Sequence, residues 1–257
     1  MPVEIIASDA SIPGEGGKTM AAHVARPKAP GKYPVVVVII EAFGLNRHIE
    51  DVAERFAREG YVSIAPDFYY REGHKATAAY ADLVSARRLM GSVVDGKYIE
   101  DMRRVLDFLK KQDYAFVSRL GAVGFCMGGR LSYLAACQAP GDVNACVVFY
   151  GGRIVTRDRT ASAPVPPVEM TSNLEAPVLG FFGDLDAGIP LDDVKELEVA
   201  LKKAGKSGEF HVYQGAPHGF FCDERGTFRP EAAKDAWQRT LVFFQRHLKV
   251  GTPTGSR

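Results

Sequence analysis

A chain of 257 residues, 46% hydrophobic and 25% charged, is long enough to bury a sizeable core and ordinary in composition for a globular protein. Its 32 Lys and Arg nearly balance 31 Asp and Glu, so no basic surface argues for nucleic acid and no acidic run for a tail. The longest apolar run, Val35 to Ile40, is too short to span a bilayer, and the opening MPVEIIASDAS has neither the charged nor the apolar region of a signal peptide, which argues against a membrane partner.

In chain order, Val3–Ser8 and Met20–Ala25 read as short strands around a glycine-rich turn. Pro34 to Ile40 is a continuous β-branched run, the mark of a central strand buried on both faces. A helix is predicted over Asn46–Glu59, with Ile49, Val52, Ala53 and Phe56 on one face and Gly60 ending it. Tyr61–Ala65 is the next strand, stopped at Pro66. Phe68 to Lys97 is the least regular part; with a helix over Ala76–Met90, it reads as an insertion over the carboxyl edge of the sheet. Tyr98–Gln112 is an amphipathic helix. Leu120–Phe125 is an apolar strand that runs into Gly124-Phe-Cys126-Met-Gly128, followed by a helical run over Leu131–Gln138. Strands are predicted over Ala145–Tyr150, Pro177–Phe182 and Glu209–Tyr213, and helices over Leu191–Ala204, capped by Asp192, and Pro230–Leu248. Residues 153–174 form a proline-rich loop. No linker or repeat divides residues 1–249, which are expected to form one domain, and the tail 250–257 is expected to fray.

Strands alternating with helices imply an α/β fold with a mostly parallel central sheet, right-handed crossovers and helices on both faces. Ligands of such sheets bind beyond the carboxyl ends of the strands. Glu41, Cys126, Tyr150, Asp186 and His218 all fall at such ends. The order strand, Gly-x-Cys-x-Gly, helix is the nucleophile elbow of an α/β-hydrolase with cysteine in place of serine. A residue on that turn is strained, so its neighbours must be small. The helix N-terminus beneath Cys126 favours a thiolate and a developing oxyanion. A buried structural cysteine in a glycine-rich turn is the bland alternative.

A thiol needs a base to act quickly at neutral pH. His218, in the loop after the last strand, is the candidate, and an acid after the preceding strand should orient it; Asp184 and Asp186 both qualify. Glu41 follows a buried strand directly, where a carboxylate is costly without a partner or a role. It reads either as a solvent-facing turn residue or as a second acid/base group facing the nucleophile. In the second reading the N–H of Ala42 or Phe43 lies at the oxyanion position, with the N–H of Met127 as partner donor. Cys126, Cys137, Cys146 and Cys222 show no metal-ligand spacing, so no metal is expected, and free thiols suit a reducing cytoplasm.

From Val35 to Leu248 the chain resembles the dienelactone hydrolase (carboxymethylenebutenolidase) family. The resemblance rests on Glu41-Ala-Phe-Gly-Leu-Asn46, Ala65-Pro-Asp67, Gly124-Phe-Cys-Met-Gly-Gly129, Phe149-Tyr-Gly151, Gly183-x-x-Asp186 with Pro190 following, and His218-Gly-Phe220. It implies an α/β-hydrolase that opens an activated lactone or enol ester through a thioester, with no metal or organic cofactor. The family's triad falls on Cys126, Asp186 and His218, its spacing selecting Asp186 over Asp184, and its strand-end glutamate falls on Glu41. The resemblance also implies oxyanion donors at Met127 and Ala42 and a small-molecule ester or lactone substrate. Tyr150 and Phe43 are candidate substrate contacts. The family holds a substrate carboxylate with arginines, one of them four residues after the histidine, where this chain has Cys222, with Arg225 three further on. Arg87 and Arg88 are the candidates from the other arginine-bearing segment, with Arg71 a weaker one. A monomer or homodimer is expected. The rivals are a broad esterase or thioesterase and a non-catalytic binding protein on the same scaffold. A thiol redox protein is disfavoured because no C-x-x-C is present.

Overall fold

The computed structural model describes residues 3–249; the tail predicted to fray lies outside them. Eight strands form one sheet: β1 (Ile5–Pro13), β2 (Thr19–Pro27), β3 (Tyr33–Ile39), β4 (Val62–Pro66), β5 (Ala115–Phe125), β6 (Ala145–Phe149), β7 (Val178–Gly183) and β8 (Gly208–Tyr213). Their spatial order is β1-β2-β4-β3-β5-β6-β7-β8. The β1/β2 and β2/β4 pairs are antiparallel and every other pair is parallel. Among the described residues the α-helices are α1 (Arg47–Arg58), α2 (Leu83–Gly91), α3 (Asp95–Leu109), α4 (Met127–Gln138), α5 (Leu191–Lys203) and α6 (Pro230–Leu248), and Pro167–Asn173, within the predicted proline-rich loop, is a 3-10 helix.

Position in the sheet follows from composition. Val35 through Ile39 on β3 are fully buried, and each such side chain contributes about 1.5–3 kcal/mol on leaving water. β1, at the edge, is mostly exposed and alternates with polar residues. Side chains alternate across a strand, so Gly121 and Gly124 of β5 face opposite layers. A β-carbon at Gly121 would meet Phe244 and Leu248 of α6, and one at Gly124 would overlap the Gly128 carbonyl of α4. Helices therefore cover both faces. Phe56 of α1 packs on Trp237 and Phe244 of α6 in one layer, and α3 packs on α4 in the other.

Several boundaries differ from the sequence expectation, and three departures have a local reason. The helix predicted over Ala76–Met90 begins only at Leu83, where Asp82 caps it by accepting the Ser85 N–H at 3.0 Å. The residues before it are held elsewhere: Ala78 N–H donates to the Phe43 carbonyl at 3.2 Å, and Asn46 Nδ2 donates to Tyr80 Oη at 3.1 Å. α5 is preceded by Pro190 with no side-chain cap, and Asp192 instead bonds Lys195 Nζ at 2.9 Å. β6 stops at Phe149 because Tyr150 turns to φ +38°, outside strand geometry. The irregular segment ahead of α3 lies against the 41–46 turn, over the carboxyl ends of β3 and β5.

Candidate active site

β5 delivers Cys126 to the sheet's edge, and α4 starts at the next residue. Cys126 has φ +56° and ψ −120°, a conformation that costs a non-glycine residue about 1–3 kcal/mol and must be imposed by its surroundings. They do so on both sides. Its N–H donates to the Phe149 carbonyl at 3.0 Å, and its carbonyl accepts the Gly129 N–H at 3.0 Å. The turn leaves no room for side chains: a β-carbon at Gly124 would overlap Gly128, and one at Gly128 would overlap the ends of β3 at Ile39 and Ile40. The spacing Gly-x-Cys-x-Gly is thus a steric requirement of the elbow.

His218, on the loop after β8, donates from Nδ1 to Asp186 Oδ2 at 2.6 Å. A carboxylate only accepts, so the ring proton on this side belongs to Nδ1, leaving Nε2 for the thiol. Asp186 Oδ1 accepts the Gly188 N–H at 2.9 Å, and its side chain is buried. Asp184 is used differently: it accepts the Gly215 N–H at 2.7 Å and so shapes the histidine's loop. Burial of the His218 ring opposes its charge, but the hydrogen bond to Asp186 and the neighbouring Cys126 outweigh that and raise its pKa to about 10. The other cysteines differ from Cys126, which is partly exposed. All four are free, and burial pushes Cys137 up, Cys146 to about 12 and Cys222 to about 11.

Glu41, just beyond β3, is completely buried. Tyr150 Oη donates to its Oε1 at 3.2 Å, and Arg225 Nη1 lies 3.9 Å from the same oxygen. Glu41 Oε2 and Arg225 Nη1 are both buried without hydrogen-bond partners among the described residues. The Arg225 guanidinium rests on the rings of Phe43 and Tyr80, 5.1 and 5.7 Å from their centroids. Tyr150 and Phe43, expected against substrate, thus pack around Glu41 and Arg225, and neither lines the cavity beside Cys126. No acceptor among the described residues takes the N–H of Met127 or of Ala42.

A cavity of about 360 Å³ opens over Cys126, Met127 and His218. Met90, Val93 and Leu131 give it apolar walls, and Arg87, Arg130 and Arg153 bring positive charge. Arg87 thus faces the cavity, whereas Arg88 is turned away to Glu72 at 2.7 Å and Arg71 to Asp101 at 2.6 Å. Arg130, four residues after Cys126, forms a buried two-point pair with Asp95 at 2.7 and 2.8 Å. Sequence reasoning missed Arg130, although a cation on an otherwise apolar helix, one turn beyond the nucleophile, was a usable signal. It also left Arg153 and Asp95 unassigned, and nothing local marks Arg225 as a neighbour of Glu41.

An elbow cysteine, an Asp–His pair and backbone N–H groups without acceptors among the described residues lie together at the carboxyl edge of this sheet, whose fold is that of an α/β-hydrolase. The family model for the dienelactone hydrolase family matches residues 20–248, and the chain belongs to that family. It is 38% identical over 245 residues to a protein of Escherichia coli O157:H7 named "Putative carboxymethylenebutenolidase", covering 95% of this chain and 88% of that one. It is 33% identical over 251 residues to a Bradyrhizobium protein named "Probable 2-oxo-3-(5-oxofuran-2-ylidene)propanoate lactonase", covering 96% and 98%. A crystal structure of a "Putative Dienelactone Hydrolase" from Klebsiella pneumoniae subsp. pneumoniae MGH 78578 superimposes with a TM-score of 0.87 at 37% identity, covering 95% of this chain and all of that one. The protein is a hydrolase of the lactone and ester type. No helix among the described residues is long and apolar enough to cross a membrane.

Proposed function

We propose that the chain hydrolyses lactones or esters of the dienelactone type through a thioester on Cys126. The observation that carries the reading is the 2.6 Å Asp186–His218 bond beside a cysteine held at φ +56°. In this reading His218 Nε2 already holds the thiol proton at neutral pH, as its raised pKa requires, and Asp186 stabilises the imidazolium beside the thiolate. Sγ attacks the carbonyl carbon, and the oxyanion is received by the N–H groups of Met127 and Ala42. Collapse expels the alkoxide, which takes the proton from His218. His218 then draws a proton from water, whose oxygen attacks the thioester, and the acid leaves with the thiol restored. Glu41, poised between Tyr150 and Arg225, tunes the charge facing the thiol.

The cavity supports an acidic substrate, because Arg130 is balanced by Asp95 and Arg153 pairs with Asp158 at 3.4 Å, while Arg87, without an acidic partner among the described residues, leaves positive charge there. The acidic lactone in the name of the Bradyrhizobium relative fits the same chemistry. Free thiols throughout suit a reducing compartment such as the cytoplasm. We expect residues 3–249 to behave as one domain, since one continuous sheet runs through them.

The test is mass spectrometry of enzyme quenched during turnover, with acidic lactones and neutral aryl esters as substrates. A mass increase equal to the acyl group should map to Cys126, be absent in Cys126→Ala and accompany loss of turnover in that variant. Full activity of Cys126→Ala would end the proposal. Much faster cleavage of neutral esters than of acidic lactones would leave a broad esterase instead.

A further inference from the structure

Tyr69 is fully buried just beyond β4, and its hydroxyl reaches both residues assigned to the oxyanion above. Its Oη lies 3.2 Å from the Ala42 carbonyl oxygen and 3.7 Å from Met127 Sδ. A hydroxyl has one proton to give, and the carbonyl is the stronger acceptor. Asp67 sets the ring's place: its buried carboxylate accepts the N–H of Tyr69 at 3.0 Å and of Lys75 at 2.8 Å. Burial first, then the nearby Cys126 and Asp67, push the Tyr69 phenol up, so it stays a donor.

The carbonyls around Ala42 are held in sequence. The Glu41 carbonyl accepts the Gly44 N–H at 3.2 Å, and the Ala42 carbonyl accepts Tyr69 Oη. In a planar trans peptide the C=O and N–H point in opposite directions, so the held Glu41 oxygen fixes the Ala42 N–H and the held Ala42 oxygen fixes the Phe43 N–H. Both peptide planes that meet at Ala42 are thereby anchored. The same ring touches the side chain of the first residue of α4, which carries the second free N–H. An oxyanion hole works only when its donors are in place before charge develops.

We infer that Tyr69 is a positioning residue of the oxyanion hole: its buried hydroxyl pins the peptide that follows Ala42 and, with the Gly44 N–H that pins the peptide before it, keeps the Ala42 donor in register with the Met127 donor. The inference rests on the oxyanion assignment made above. Tyr69 acts through Ala42 and does not touch substrate, so removing its hydroxyl weakens transition-state binding and spares ground-state binding.

The test is Tyr69→Phe, assayed with the acidic lactone that the wild type turns over. The expected kcat falls about ten- to hundredfold, below the loss for deleting a donor outright, while KM stays within about twofold. A trifluoromethyl ketone, whose adduct with Cys126 carries the oxyanion, should lose affinity by the same factor, with binding of the product carboxylate unchanged. Wild-type kcat and ketone affinity in Tyr69→Phe would overturn the inference. So would a parallel fall of kcat, ketone affinity and product affinity together with thermal stability. Failure of the wild type to form the ketone adduct brings down the thioester reading and this inference with it. An adduct formed equally well by both proteins overturns the Tyr69 role alone. If Tyr69→Phe does not fold, the wild-type adduct decides by crystallography: the Oη to Ala42 distance should stay near the 3.2 Å of the free protein, and a hydroxyl swung beyond about 3.5 Å overturns the inference.

Discussion

The two walls of the site are built on opposite principles. On the triad side, polar atoms are paired: Asp186 uses one oxygen for His218 and the other for Gly188, and Cys126 is held by its own backbone bonds. On the Glu41 side the pairing is incomplete. Glu41 Oε2 and Arg225 Nη1 are buried without partners among the described residues, and their closest approach is 3.9 Å. A fully paired cluster resists rearrangement, whereas an under-paired one gains by accepting a new group. The contrast teaches where rigidity and responsiveness lie: the Asp186–His218 pair is set in the free protein, and the opposite wall still has hydrogen-bonding capacity to give.

The largest expected effect breaks the paired wall. Asp186→Asn keeps the shape of the side chain but not its charge, and kcat should fall about 10³–10⁴-fold. His218 should titrate well below its present value of about 10, read by NMR of the imidazole. A change of kcat under about tenfold would remove Asp186 from the mechanism.

Breaking the other wall is the next largest. Arg225→Met leaves the Glu41 carboxylate buried without its nearby cation and should cost about 1–3 kcal/mol of stability, followed by urea unfolding. Glu41→Gln combined with Arg225→Met should recover part of that loss, since no buried charge then remains. An additive double variant would show that the two side chains are independent.

Lysate-free thermal melts against pH sharpen the comparison further. His218 is raised from an ordinary 6.5 to about 10, so its contribution is complete below about 6.5 and is lost as pH rises through about 10. Cys126→Ala removes one of the groups that raise it and should shift that loss to lower pH. Identical pH profiles of melting in the two proteins would mean that the thiol does not influence the imidazole.

The smallest effect separates two neighbours on α2. Arg87→Met should raise KM for an acidic lactone about tenfold, because Arg87 faces the cavity. Arg88→Met should leave KM unchanged, because its guanidinium is engaged by Glu72 on an exposed surface. Equal effects from both would mean that Arg87 acts only through general surface charge.

Much of this molecule is local chemistry written along the chain. The β-branched run of β3, the glycines around Cys126 and the spacing from β7 to His218 are each dictated by steric or burial rules that act over a few residues. They determined the α/β order, the elbow and the strand ends that carry Glu41, Cys126, Asp186 and His218. Tertiary structure alone decided which groups meet. It turned Arg87 inward and Arg88 outward, and closed Arg225 and Tyr150 on Glu41. It also set the Tyr69 hydroxyl against both Ala42 and Met127, 27 and 58 residues away along the chain. Such pairings depend on the path of loops between strands, and no periodicity or short motif encodes a loop's path.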